Sequence, residues 1–114
     1  MVAMSADAHH LMSDKNWVSD APNGLGPYTP KFLQLLKGTG LTLQDDLNLV
    51  DVVGHSGPHP GANQYTYDFL VNAVKGLARG TPEYKQAIVD ALKKLGKEAT
   101  TQGTTLNKLL TDRP

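Results

Sequence analysis

The sequence predicts a small α+β domain. Apolar residues recur at three- and four-residue spacing after Thr29 and again through residues 65–95, which is a helical pattern. Residues 47–53 instead form a short, β-branched run stopped by Gly54, which is a strand pattern. The resulting order is strand, loop, helix, strand, helix, helix, without the regular alternation of a parallel α/β sheet. At 114 residues the chain has room for one core and not two.

Taken in order, residues 6–11 form a weakly alternating extended stretch. Residues 14–28 contain the turn signals Asp20-Ala21-Pro22-Asn23-Gly24 and Gly26-Pro27 and read as a loop, with Trp17 and Val18 expected to anchor it on the core. Thr29 followed by Pro30 predicts an N-cap and a first-turn proline. Phe32, Leu33, Leu35 and Leu36 then give the apolar face of a short helix ended by Gly38 and Gly40. Leu47, Leu49, Val50, Val52 and Val53 make residues 47–53 the best strand candidate, an apolar run that Asn48 interrupts. Residues 65–78 predict a helix with Phe69, Leu70, Ala73, Val74 and Leu77 on one face and Gly80 at its close. Thr81-Pro82-Glu83 opens the next helix with a cap, a proline at the first position and an acid in the first turn. Its apolar face is Tyr84, Ala87, Ile88, Ala91, Leu92 and Leu95, with Gly96 and Gly103 as weak points. Residues 104–110 predict a last short helix.

The chain has no cysteine, so disulfides and thiolate metal sites are excluded and any metal must be held by nitrogen and oxygen. No apolar run reaches the roughly 18 residues that span a membrane, and residues 1–8 lack the basic and apolar regions of a secretory signal. The formal net charge is zero, which argues against a tight nucleic-acid reader but not against an enzyme that touches a few phosphates and turns over. Lys15, Lys31, Lys37, Lys75 and Arg79 are available for phosphates, although each also reads as an ordinary surface charge.

The four histidines carry most of the chemistry. They fall in two groups: His9-His10, and His55 with His59 in Gly54-His55-Ser56-Gly57-Pro58-His59-Pro60. Imidazole is both a common metal ligand and a proton carrier near neutral pH. An i, i+4 pair can chelate one ion, although Gly57 and Pro58 suit a helix entry better than a helix interior. Neighbours on a strand face opposite sides, so His9 and His10 can divide the roles of ligand and base. On residue chemistry alone the four stay equivalent, and a closed four-ligand structural metal is an open alternative.

Ala8-His9-His10-Leu11, then Asp46-Leu47-Asn48-Leu49, then His55-Ser56-Gly57-Pro58-His59-Pro60 with Tyr65 and Tyr67 downstream, resemble the AHH family of nuclease toxins. That family belongs to the HNH/endonuclease VII superfamily, with its His-Me finger or ββα-metal core. The pattern is also similar to that of the nuclease colicins. Three separated elements in the right order make the resemblance fairly specific, whereas the helices after Leu70 carry no diagnostic motif. The resemblance implies a ββα-metal core with additional helices, His9, His55 and His59 as metal ligands, and His10 as the general base. Asn48 matches an asparagine that orients the base or braces the loop. Asp45 and Asp46 read as solvated loop acids or as partners of a ligating imidazole. Of Tyr65 and Tyr67, one is expected to pack. The chain departs from the family after the pair, running Leu11-Met12-Ser13 where an Ile-Pro or similar segment is usual.

The resemblance further implies a metal-dependent endonuclease acting on DNA in preference to RNA. Its ion would be zinc or nickel by ligand type, or magnesium or manganese. It would be an antibacterial toxin domain spanning residues 1–114, excised from the C-terminus of a larger secreted protein. It would be delivered to the target-cell cytoplasm and restrained in its producer by a cognate immunity protein, with no membrane partner. The competing readings are an RNase toxin of the same fold, a non-catalytic interaction domain with a structural metal, and an inert helical domain with surface histidines.

Overall fold

A computed structural model describes residues 7–14, 17, 27–52 and 60–111. Strand β1 (Asp7–His10) pairs antiparallel with β2 (Leu49–Val52), with His9 opposite Val50 and His10 opposite Leu49. Helix α1 (Tyr28–Leu36) lies between the strands in sequence, and a 3-10 turn (Asp46–Asn48) leads into β2. Helices α2 (Pro60–Ala73), α3 (Pro82–Thr100) and α4 (Thr105–Thr111) follow. The described residues therefore make a small α+β domain of four helices and a two-stranded antiparallel sheet, as the sequence predicts.

Helix α3 is the spine. Its start is the one the sequence spells out: Thr81 Oγ1 accepts a hydrogen bond from the Tyr84 N–H at 3.2 Å, with Pro82 beside it. Tyr84, Ile88, Ala91, Leu92, Leu95 and Ala99 form its buried stripe. The Tyr84 hydroxyl donates to the Leu35 carbonyl at 2.7 Å and so ties α3 to the end of α1. Gly96 does not break the helix. A Cβ there would stand 3.3 Å from Val50 Cγ1 and 3.9 Å from Leu11 Cδ1, so the bare Cα lets α3 lie close on the sheet. Along β2, Val52 is buried and Asp51 exposed, the alternation of a strand with one covered face.

Glu98 joins three helices. The Tyr65 hydroxyl on α2 donates to its two carboxylate oxygens at 2.9 and 2.8 Å, and the Leu106 N–H in the first turn of α4 donates to Oε2 at 3.0 Å. A carboxylate at a helix N-terminus satisfies an otherwise unpaired amide and complements the helix dipole.

Several boundaries differ from the sequence prediction. Helix α1 begins at Tyr28, and the Thr29 hydroxyl does not cap it but donates to the Ser13 carbonyl at 2.6 Å. Strand β2 begins at Leu49 because the residues before it curl into the 3-10 turn, and Val53 lies outside the described residues. Helix α2 runs from Pro60 to Ala73, earlier at both ends than expected. The chain turns at Gly76 with φ of 82°, and Leu77, expected on the buried face, is 39% exposed. Trp17 is 58% exposed and does not anchor the loop, while Val18 lies outside the described residues.

Candidate active site

The histidine pair ends β1. Residues directly opposite in an antiparallel pair share a face of the sheet. His9, opposite Val50, therefore lies on the side that α3 covers, and His10, opposite Leu49, on the other. Both are half-buried. The alternation separates two neighbouring imidazoles into different surroundings.

His10 is held by two side chains. Its Nε2 lies 3.2 Å from Asp14 Oδ2 and 3.2 Å from Gln44 Oε1. Gln44 Nε2 in turn donates to Asp14 Oδ2 at 3.2 Å, which closes a three-membered ring of contacts. The His10 and Asp14 side chains are 22% and 18% exposed, so this group sits at the rim of the domain rather than in its core. Neither Asp14 nor Gln44 was singled out from the sequence. Asp14 was within reach of that reading, being four residues after His10; Gln44 is distant in sequence and carries no comparable signal.

Asn48 is buried and braces the chain that follows His10. Its Oδ1 accepts from the Met12 N–H at 2.6 Å, and its Nδ2 donates to the Met12 carbonyl at 2.9 Å and to the Leu43 carbonyl at 2.8 Å. Its own carbonyl accepts from the Leu11 N–H at 2.8 Å. Of the two roles open to it, orienting the base or bracing the loop, these bonds serve the second directly and reach His10 only through the backbone. Asp45 accepts from the Thr42 N–H at 2.7 Å, and Asp46 is exposed.

His55 and His59 lie outside the described residues, in the segment that joins β2 to α2. Among the described residues no three His, Asp or Glu side chains converge on a point that could hold an ion. The described part of the molecule thus contributes one proposed ligand, His9 on β1, whose partner strand β2 leads in sequence into the segment that carries the other two.

Of the two tyrosines, Tyr67 packs edge-on against Phe32 with ring centroids 6.0 Å apart. Tyr65 spends its hydroxyl on Glu98; burial first, then that hydrogen bond and the carboxylate charge, push its phenol above the ordinary value. Lys31 lies over the rings of Tyr28 and Tyr67, 5.6 and 5.5 Å from their centroids, and Arg79 is 6.0 Å from that of Tyr84. Lys37 and Lys75 are exposed, and Lys15 lies outside the described residues.

A family model described as a nuclease family of the HNH/ENDO VII superfamily with conserved AHH matches residues 2–112. The chain belongs to the AHH nuclease family. Comparisons with curated proteins and with solved structures returned no match. The family match covers nearly the whole chain, including the helices after Leu70 that carry no motif of their own. Membership makes the protein a nuclease, a hydrolase whose substrate is nucleic acid. The two-stranded sheet, the pair at the end of β1 and α2 after β2 are consistent with a His-Me finger fold, with α1 inserted between the strands. No helix among the described residues is long and apolar enough to cross a membrane.

Proposed function

We propose that this AHH nuclease is a metal-dependent DNA endonuclease in which His10 is the general base. The observation that carries the assignment is the placement of His10: it lies on the opposite face of β1 from His9, with its ring held by Asp14 and Gln44. A side chain kept apart from the proposed ligand and fixed by neighbours is suited to proton transfer.

In this reading His10 takes a proton from a water molecule. The water oxygen bonds to phosphorus as the bond from phosphorus to the 3′ oxygen breaks, and the departing oxygen takes a proton from solvent. His9, His55 and His59 would hold a divalent ion, which supplies positive charge against the charge that builds on the phosphate and the leaving oxygen. Three imidazole donors suit zinc or nickel better than magnesium or manganese, which prefer oxygen. Asn48 acts as a positioning residue through its bonds to Met12.

A plasmid-nicking assay tests the assignment, using wild type and His10→Ala in zinc, nickel, magnesium and manganese, with a single-stranded RNA in parallel. Nicking by wild type and its loss in His10→Ala are expected. Equal nicking by both proteins ends the proposed role of His10, and preferential cleavage of the RNA reverses the substrate assignment.

The biological setting we propose is that of an antibacterial toxin domain, carried at the C-terminus of a larger secreted protein, delivered into the target-cell cytoplasm and neutralised in the producer by an immunity protein. Family membership supports this reading by analogy. Arrest of a bacterial host on cytoplasmic expression of wild type, but not of His10→Ala, is the expected result.

A further inference from the structure

We propose that Asp14 and Gln44 fix the proton of neutral His10 on Nε2, so that Nδ1 is the atom that takes the proton from water. This rests on the reading of His10 as the general base and names the positioning residues that act through it.

The proton's place follows from donor and acceptor chemistry. An ionised carboxylate only accepts hydrogen bonds. Gln44 presents one amide atom to Asp14 and the other to His10, at 3.2 Å in each case. The atom facing the carboxylate must be the donor nitrogen, so the atom facing His10 is the acceptor Oε1. His10 Nε2 therefore faces two acceptors, Asp14 Oδ2 and Gln44 Oε1. Only a protonated Nε2 satisfies both. In a neutral imidazole the other nitrogen then carries the lone pair.

The surroundings hold this arrangement in place on both sides. Between His10 and Asp14, the Leu11 N–H is bonded to the Asn48 carbonyl, Met12 to the Asn48 side chain through both its backbone groups, and the Ser13 carbonyl to the Thr29 hydroxyl. Leu11 and Met12 are fully buried. Gln44 lies in a turn closed reciprocally: Thr42 Oγ1 accepts from the Gln44 N–H at 3.2 Å, while Asp45 Oδ2 accepts from the Thr42 N–H at 2.7 Å. Asp14 and Gln44 thus reach His10 from two segments that the Asn48 amide ties together through the Met12 and Leu43 carbonyls. When the ring receives the water proton on Nδ1, a carboxylate oxygen already lies 3.2 Å from Nε2 and opposes the new positive charge without moving.

The test combines a ring-nitrogen measurement with kinetics. Long-range ¹H–¹⁵N spectra of the ¹⁵N-labelled full chain, metal-free and zinc-loaded, are recorded where the imidazoles are neutral, with His10 assigned by its absence from His10→Ala. Wild-type His10 is expected as the Nε2–H tautomer. In Asp14→Ala the ring is expected to become a mixture of tautomers. For cleavage of a labelled DNA duplex, kcat is expected to fall about 10- to 100-fold, the range for loss of an orienting partner, with KM and zinc affinity unchanged. Asp14→Asn, which keeps the shape, is expected to retain more of kcat than Asp14→Ala. An Nδ1–H tautomer in wild type overturns the proposal. So does an unchanged kcat in a folded Asp14→Ala, or a loss of zinc affinity that would make Asp14 a ligand. If the wild-type chain cleaves no nucleic acid, the nuclease reading fails while the tautomer measurement still decides where the proton sits.

Discussion

Asn48 faces Met12 as a paired strand residue would: its Oδ1 accepts from the Met12 N–H at 2.6 Å and its Nδ2 donates to the Met12 carbonyl at 2.9 Å. A side-chain amide takes the part of a peptide group and extends the pairing of β1 beyond the first residue of β2. Such a bond pair fixes the course of the chain directly after His10.

Removing that amide should be costly. Asn48→Ala leaves the buried Met12 N–H and carbonyl without partners, at about 1–3 kcal/mol for each unsatisfied group. A loss of about 3 kcal/mol, or a fall in Tm of roughly 10–20 °C for a domain of this size, is expected in thermal denaturation. Asn48→Asp should do no better, because a carboxylate oxygen would face the Met12 and Leu43 carbonyls. A Tm for Asn48→Asp equal to wild type would show that the amide does not hold them.

Gly96 sets how closely α3 approaches the sheet. Gly96→Val should destabilise by about 1–3 kcal/mol, the usual cost of overpacking, because its branched side chain meets Val50 and Leu11. Cleavage should fall as well, since β2 is the strand on which the histidine pair is registered. Urea denaturation with a parallel nicking assay checks both, and a more stable Gly96→Val would mean that the contact yields freely.

The Tyr65 phenol is held in its neutral form by burial and by the Glu98 carboxylate, so its pKa is raised from 10.0. The sign follows from linkage: the stabilisation is complete below pH 10.0, where folded and unfolded chains both hold the proton. Above that pH the unfolded chain releases it first, and stability falls until the folded phenol also ionises. The difference in stability between wild type and Tyr65→Phe should therefore shrink with rising pH along the alkaline limb. A difference that stays constant through that range would remove Glu98 from the account.

Thr81→Ala should cost about 1 kcal/mol, the typical value of a lost N-cap, and should leave kcat unchanged, because the cap lies at the far end of α3 from Gly96 and the sheet. Equilibrium denaturation and a cleavage assay at low temperature check the two parts.

Chelation should stop cleavage while leaving most of the helical circular dichroism, since the core of α1, α3 and α4 is built from apolar side chains such as Phe32, Ile88, Leu95 and Leu106. Unfolding on chelation would favour a structural ion instead.

The parts of the fold that were legible in the sequence are those with local causes. Thr81-Pro82 and the apolar stripe of α3 lie within a few residues of what they determine. Thr29 was misread because its hydroxyl bonds a carbonyl sixteen positions away rather than its own helix. The start of α2 was missed because Pro60-Gly61-Ala62-Asn63-Gln64 has little apolar periodicity, and Gly61 answers to Leu109 in another helix, 3.3 Å from where its Cβ would be. In the site, the histidine pair was legible from the motif, and the bracing role of Asn48 was one of two that the motif allowed. The attachment of His10 to Gln44 was not legible, because it depends on how the turn at Thr42 aims a side chain across the sheet.

The Glu98 carboxylate has a further consequence for how the molecule comes apart. One side chain receives the phenol of α2 and the leading amide of α4, so neither helix detaches without disturbing the contact of the other. Fraying at the C-terminal end is thereby coupled to the helix that follows the second histidine group. A protease, antibody or designed binder that peels α4 away would therefore act on α2 as well, through the one carboxylate that both helices share.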